Sequence, residues 1–494
     1  MPESPLNLQA IARETLLRYG FLVEPPPAAQ AQADKLVEPS FPQPSIKDLS
    51  DWLWSSIDND DSRDLDQIEY LESTGNESRL YVAIADVSAL VPKDTALDQA
   101  AEHNTTSLYT GLRMVPLFPE KLSCNLTSLL EGQKRLAVVT EMRIASDGRV
   151  LGSSIYRAVV QNHAQLTYNA VAAWLTQQTP DATPITDRML EKIRSNPALQ
   201  TQLRGQDALA QNLRRLRVEA GALTFETIEL RPTPRPDGSW ELKAGVPNAA
   251  TRLIEDFMIA ANQASVAYLQ AQGSPTLQRV VRTPKNWPRI VELAAPHGVT
   301  LPAAPDAKAL EDFLAQQRIK DPDHFPDLSL SVIKLLGRGE YVVAEPGVNA
   351  SGHFALAVEG YSHSTAPNRR YPDVITQRLL KAALDHQKPP YSVEELALLA
   401  QHCTEKEDDA NKAERSVHKC LAAAAMTHQI GQTFNGFITG SSDKGVWVRL
   451  VQPPVEGKIE GATKDLAVGD RVVVKLIATD PLRGYIDFNV ITRG

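Results

Sequence analysis

The chain has 494 residues, room for two or three domains, and its 43% hydrophobic and 22% charged content is that of an ordinary soluble globular protein. Three scattered cysteines, Cys124, Cys403 and Cys420, argue against a disulfide framework or a thiolate zinc site and fit a reducing cytoplasm. A net charge of −9 excludes a uniformly basic surface, so any polyanion must be met by Lys and Arg gathered along one channel.

Met1–Gln30 lacks the basic start and apolar run of a signal peptide, and no stretch approaches the length of a membrane helix. The expectation is a cytoplasmic protein. Leu8, Ile11, Leu16, Leu17 and Phe21 give Leu6–Phe21 the spacing of an amphipathic helix, which Pro25, Pro26 and Pro27 end. Residues 1–49 therefore read as a helical extension, a linker or a small module of helix-turn-helix type. Residues 50–430 mix strand and helix signals. Arg79–Leu90 and Arg135–Ile144 read as strands, Ala249–Gln272 and Asp373–Asp385 as helices, and Pro284–Glu345 as a helical insertion. Residues 431–494 change character. Thr433–Thr439, Gly445–Val451, Gly457–Gly461, Arg471–Ala478 and Gly484–Ile491 predict a five-stranded barrel of the OB type. The fold class is α+β: a mixed core followed by a small barrel.

Between Trp52–Ile57 and the first predicted strand lie Asp58, Asp60, Asp61, Asp64 and Asp66, five carboxylates in nine positions. They repel one another unless solvated on an open turn or neutralised by a cation. Hard divalent ions such as Mg²⁺ prefer carboxylate oxygen and keep positions free for substrate phosphate. His103, His163 and His418 have no ligand spacing that would suggest zinc.

The order of these residues, Ile-Asp-x(5)-Asp-Leu-Asp, resembles the catalytic signature of the ribonuclease II (RNB) family of 3′→5′ exoribonucleases, and further matches follow in the family's order. The resemblance implies that Asp58, Asp64 and Asp66 hold Mg²⁺ and orient the attacking water; Gln67 stands where the family has a last carboxylate, and its carbonyl can ligate but adds no charge. Met114-Val-Pro-Leu-Phe-Pro119 after Tyr109 resembles the segment whose tyrosine packs on the 3′-terminal nucleotide. Tyr361-Ser-His-Ser-Thr-Ala-Pro-Asn-Arg-Arg-Tyr-Pro-Asp373 resembles the block whose first arginine, here Arg369, meets the scissile phosphate, with Ala366 and Asn368 as departures. Arg370 then binds a neighbouring phosphate or a structural carboxylate. Ala413-Glu-Arg415 implies a glutamate beside the active site, Glu414, and Glu255 with Tyr168 are implied in reading ribose hydroxyls.

Gly431–Gly494 resembles the S1 RNA-binding domain, whose aromatics stack on bases beside Lys and Arg. Phe434, Phe437 and Trp447 are the candidates, each serving either RNA or the barrel core, with Lys444, Arg449 and Lys458 for phosphates. Family members commonly begin with cold-shock OB-folds, which Met1–Leu49 has neither the length nor the alternation to form. The resemblance thus implies a Mg²⁺-dependent enzyme that takes single-stranded RNA processively to 5′-nucleoside monophosphates, with no membrane and no obligate protein partner. The alternative is an RNA-binding regulator of the same fold, with catalysis impaired by Gln67.

Overall fold

The structure, a computed structural model, describes residues 7–39, 46–112, 114–178, 183–226, 229–234, 240–245, 247–322, 324–348, 352–442, 445–461, 466 and 468–493. Two helices come first, α1 (Leu8–Arg18) and α2 (Pro27–Lys35), then strands β1 (Lys47–Asp48), β2 (Trp54–Asp58), β3 (Gln67–Thr74) and β4 (Glu77–Ala85). Helix α3 (Ala96–Asn104) precedes the short pair β5 (Leu108–Tyr109) and β6 (Met114–Val115), and the long strands β7 (Lys134–Ala145) and β8 (Val150–Thr167) follow. The main sheet has the order β1-β8-β2-β3-β4-β7, and β8 also pairs with β7, so the sheet returns on itself.

Both faces of this sheet are covered, and the sequence shows why. Along β4, Leu80, Val82 and Ile84 enter one apolar cluster while Tyr81, Ala83 and Ala85 enter another. Side chains alternate across a strand, so a continuous apolar run fits only a strand buried on both sides. The predicted strand at 79–90 stops at Ala85, because Asp86 accepts the Ala89 N–H at 3.0 Å and caps a turn of 3₁₀ helix.

Helices α4 (Tyr168–Thr176), α5 (Pro184–Arg194), α6 (Pro197–Glu219) and α7 (Ala249–Ala271) cover the Leu80 face. Strands β9 (Glu229–Pro234) and β10 (Trp240–Gly245) form a separate hairpin between α6 and α7. Strand β11 (Thr276–Val280) is antiparallel to β12 (Glu340–Ala344), and between them α8 (Trp287–Ala294), α9 (Ala307–Lys320) and α10 (Phe325–Leu336) make the expected helical insertion around its own core. Helices α11 (Tyr371–Leu384) and α12 (Val393–Met426) pack on the Tyr81 face. Strands β13 (Thr433–Ser442), β14 (Gly445–Leu450), β15 (Glu456–Ile459), β16 (Arg471–Asp480) and β17 (Tyr485–Arg493) close a barrel in the order β13-β14-β15-β17-β16. All five strands lie where the sequence predicts them, and Ala423 and Met426 of α12 are part of the barrel's core.

The leader does not form a module of its own. A helix-turn-helix needs two helices that bury each other, whereas α1 lies on α12 and α2 on α3. Leu16, Phe21 and Val23 share a cluster with Leu108, Val115, Ala410 and Ala413. Reciprocal bonds of 2.9 Å between the Asn104 amide and the backbone of Leu22 fix the connection between the two helices.

Candidate active site

The acidic loop joins two neighbouring strands, since β2 ends at Asp58 and β3 begins at Gln67. Asp58 Oδ1 accepts the Asn59 N–H at 2.7 Å and the Ser62 hydroxyl at 2.8 Å, which curls the first half of the loop back. Leu65, only 1% exposed, is drawn into the core. Its N–H donates to Ser128 Oγ at 2.9 Å and its carbonyl accepts from Leu129 at 3.0 Å. On an extended chain a buried Leu65 turns its two neighbours, Asp64 and Asp66, to the opposite side together. The Asp-Leu-Asp triplet thus delivers two carboxylates to one cleft.

Asp66 is buried at 2% exposure, accepting the Asn368 N–H at 2.8 Å with one oxygen and lying 3.7 Å from Arg369 Nε with the other. Burial holds its carboxyl well above the usual range, against the pull of Arg369, and Asp64 and Asp373 add to the rise. Asp64 is also raised by burial, with Asp58 adding and Arg369 opposing.

Arg369 and Arg370 have opposite fates. Both N–H groups donate to the Ala366 carbonyl, at 3.2 and 3.0 Å, in the turn that enters α11. Asp373 Oδ1 then accepts from Ala366 N–H and from Arg370 Nη2, each at 2.8 Å. Arg370 is therefore held inward on a structural carboxylate, the second of its two expected roles. Arg369, with its side chain 46% exposed, is left facing the cleft. Its charge bears on Asp64, Asp66, Tyr109 and Tyr168.

Tyr109 ends β5 at 41% exposure, and its N–H donates to Glu414 Oε1 at 2.6 Å. Burial raises the Glu414 carboxyl, which the Tyr109 bond opposes. The segment before Tyr109 is laced to the arginine turn: Ser107 N–H donates to the Arg369 carbonyl at 2.9 Å and Tyr371 N–H to Thr105 at 2.8 Å. Tyr168 is the first residue of α4, placed there by the Thr167 cap, and Asp58, Glu69 and Arg369 all act on its phenol. Asp58, Asp64, Asp66, Tyr109, Tyr168, Arg369 and Glu414 are thus brought to one cleft.

Other predicted residues lie elsewhere. Glu255 is exposed on α7, and its charge reaches Arg217, Asp256 and Tyr361. Lys444 lies outside the described residues. Phe434 packs against the barrel core. Phe437 and Trp447 are half-buried, and Phe437 sits in register between Arg449 and Arg471 on the neighbouring strands. Arg449 is not free, because its Nε lies 3.6 Å from Asp327 of α10. Lys458 pairs with Glu460 at 2.6 Å. Sequence reading missed Asn368 as a functional residue: beyond its N–H to Asp66, its Oδ1 accepts the Thr127 hydroxyl at 2.5 Å. The signal available was its position directly before Arg369, where it departs from the family block.

Paired carboxylates opposed by a half-exposed guanidinium therefore stand in a chain that also carries a small closed β-barrel. The chain belongs to the RNB family: residues 46–386 match the RNB domain, and residues 432–491 match the RNase II-type exonuclease C-terminal S1 domain. Ribonuclease R of Escherichia coli (strain K12) is 31% identical over 508 residues, covering 94% of this chain and 60% of that protein. Ribonuclease R of Aquifex aeolicus is also 31% identical, over 98% of this chain and 70% of that protein. The chain therefore spans about 60% of the length of the first of these relatives. The apo form of Mycoplasma genitalium RNase R shares the fold, with a TM-score of 0.85 at 23% identity over 98% of this chain and 78% of that one. The same relative has been solved with ribose methylated single-stranded RNA and with double-stranded RNA.

The family implies a metal, and the donor set fits a hard cation held by few protein ligands. Among the described residues, no three His, Cys, Asp or Glu side chains converge into a ready-made cage. One buried carboxylate oxygen without a hydrogen-bond partner does occur in this loop, however: Asp60 Oδ1. Unpaired carboxylate oxygen suits Mg²⁺, which takes one or two carboxylates and completes its shell with water and substrate phosphate.

Proposed function

We propose that the chain is a 3′→5′ exoribonuclease that hydrolyses single-stranded RNA processively to 5′-nucleoside monophosphates, in RNA degradation or processing, in the cytoplasm. The observation that carries this reading is the Asp66–Arg369 pairing: a buried carboxylate and a half-exposed guanidinium meet at the cleft that Tyr109 and Tyr168 flank. A binding protein has no need of a buried carboxylate only partly compensated by a half-exposed arginine.

Asp58, Asp64 and Asp66 would hold Mg²⁺, with Gln67 as a neutral donor. When bound, the cation cancels phosphate charge and lowers the pKa of a coordinated water. The remaining work belongs to the chain. Arg369 presents two planar donors to the phosphodiester and stabilises the charge that grows on its oxygens as water adds and the P–O3′ bond breaks. Asn368 and Asp66 hold Arg369 at the cleft. Tyr109, clamped by Glu414, packs against the 3′-terminal nucleotide, and Tyr168 lines the opposite side. The barrel's Phe437 and Trp447 engage the RNA upstream, which keeps the substrate bound between cuts.

The test is a time course with 5′-labelled single-stranded RNA, in Mg²⁺ and in EDTA, beside Asp66→Asn. The expected result is a Mg²⁺-dependent ladder shortening from the 3′ end, reduced at least ~10³-fold in the variant, by the scale of losing a key charged group. Asp66→Asn keeps an oxygen to accept the Asn368 N–H, and a thermal melt beside the assay checks that the variant is folded. Tight RNA binding without shortening in either condition would instead favour the regulator, the reading to which Gln67 points.

A further inference from the structure

Helices α4, α5 and α6 border a hollow of about 440 Å³, within the roughly 300–1,000 Å³ usual for small-ligand sites. No residue of the cleft lines it. Ala173 and Leu190, both buried, give it an apolar floor. Trp174 is half-buried beside them, and the Arg204 guanidinium lies over its ring, 5.0 Å from the centroid. Arg194, the last residue of α5, also lines the hollow. We infer that this hollow binds a nucleotide, with the base stacked on the Trp174–Arg204 pair and the phosphate on Arg194.

The two arginines stand apart from the other cations of these helices. Lys192 of α5 pairs with Glu131, and on α6 Arg214 and Arg217 pair with Asp256 and Arg215 with Glu219. Arg194 and Arg204 are exposed, and neither guanidinium has an ion pair or hydrogen bond among the described residues. In a chain of net charge −9, two uncommitted guanidinium groups on one hollow make a local anion site. The backbone that carries them is fixed in advance. Gln200 Nε2 donates to the carbonyls of Ile193 and Arg194 at 3.1 and 2.9 Å, and Asn196 accepts the Leu199 N–H at 3.1 Å to start α6. Next to Arg204, Gly205 lets α6 lie close on β3, since a Cβ there would come within 2.9 Å of Leu71. A site held this way loses little freedom when it is filled.

The composition of the hollow selects the ligand class. Indole and guanidinium planes stack on any base, and a guanidinium fork fits phosphate oxygens. An inorganic anion would leave the indole and the apolar floor unused, and an apolar molecule would leave both charges unmet. A free mononucleotide and a nucleotide within a strand present the same base and phosphate. Trp174 and Tyr168 share α4, about 9 Å apart along its axis at ~1.5 Å per residue, so the site neighbours the cleft without belonging to it. The inference does not depend on the hydrolysis proposed above.

The deciding experiment labels the full chain with 5-fluorotryptophan and follows by ¹⁹F NMR the resonance that disappears in Trp174→Phe. That signal reports on the hollow alone, whatever the cleft binds, and EDTA prevents turnover. The probes are AMP, a short 2′-O-methyl oligoadenylate, inorganic phosphate and poly-glutamate. A saturable shift is expected with AMP or with the oligonucleotide; the first makes a free mononucleotide the occupant, the second a strand. The responding nucleotide should bind at least about tenfold tighter than inorganic phosphate, the scale of one stacked base. Arg194→Gln, an exposed change, should weaken it by about tenfold, the scale of one hydrogen bond to a charged group. An unmoved resonance, phosphate bound as tightly as the nucleotide, or full affinity in Arg194→Gln overturns the inference. A tighter response to poly-glutamate also overturns it, in favour of an acidic peptide. Should Trp174→Phe fail to fold, the exposed change Arg204→Gln identifies the same resonance by displacing it.

Discussion

The backbone N–H of Tyr109 donates to the carboxylate of Glu414 at 2.6 Å, joining two residues 305 positions apart in the sequence. A side chain from α12 thereby fixes the backbone that carries a tyrosine into the cleft. Glu414→Gln keeps a carbonyl oxygen to accept this bond, whereas Glu414→Ala does not. Glu414→Ala should lose roughly 1 kcal/mol of stability and about tenfold in rate, with a changed length of the shortest product; Glu414→Gln should retain most of both. Gel analysis of end products from labelled RNA checks this. Equal loss in the two variants would mean that the charge, and not the bond, matters.

Phe21 is 2% exposed and shares its cluster with Leu108, the neighbour of Tyr109, and with Ala413, the neighbour of Glu414. Removing its ring opens a cavity beside both members of the clamp. Phe21→Ala should cost about 3–5 kcal/mol of stability and lower the rate on RNA at temperatures where the chain remains folded. Urea melts and single-turnover assays measure the two effects. Loss of stability with full activity would show that the leader only closes the core.

His353 accepts the Leu356 N–H at its Nδ1, which must carry no proton to do so. Burial, aided by the charge of Arg279, lowers the ring from its ordinary 6.5 to about 4. The half-buried His363 is pushed in the same direction by burial and by Arg370, Arg279 and Arg369. The unfolded chain therefore binds these protons more readily than the folded one. The stability they contribute is present above about pH 6.5 and is lost as the pH falls toward 4. Urea midpoints should drop between pH 7 and pH 5, and less steeply in His353→Asn, whose side-chain oxygen can still accept the Leu356 bond. Parallel curves for the two proteins would exclude His353 as a source.

Across the barrel, Arg449 faces Asp327 of α10 at 3.6 Å and Arg471 donates to His324, which precedes that helix, at 3.2 Å, so the insertion occupies the arginines that flank Phe437. Asp327→Asn should release Arg449 to phosphate. The expected result is single-stranded RNA affinity several-fold tighter at low salt, with the salt slope steeper by about one unit or less. Fluorescence anisotropy across a salt series measures both. Unchanged affinity and slope would place Arg449 off the RNA path.

Local pattern carried much of this architecture. The alternation in β4, the apolar stripe of α7 and the five barrel strands are legible because each is decided within a few residues of itself. The leader was not legible, since the surface that buries Leu16 and Phe21 comes from 108–115 and 410–413. Within the site, Asp-Leu-Asp could be read from one buried leucine and strand geometry. The division between Arg369 and Arg370 could not, because it is set by Asp373 folding back on the turn.

Helix α12 runs 34 residues without a break, about 50 Å at ~1.5 Å per residue. Ala423 and Met426 are built into the barrel's own interior, while Glu414, three turns earlier, holds Tyr109. The barrel's seat and the bond that holds the Tyr109 backbone are therefore two stations on one helix, so the barrel and the β5 strand are referenced to a common rod.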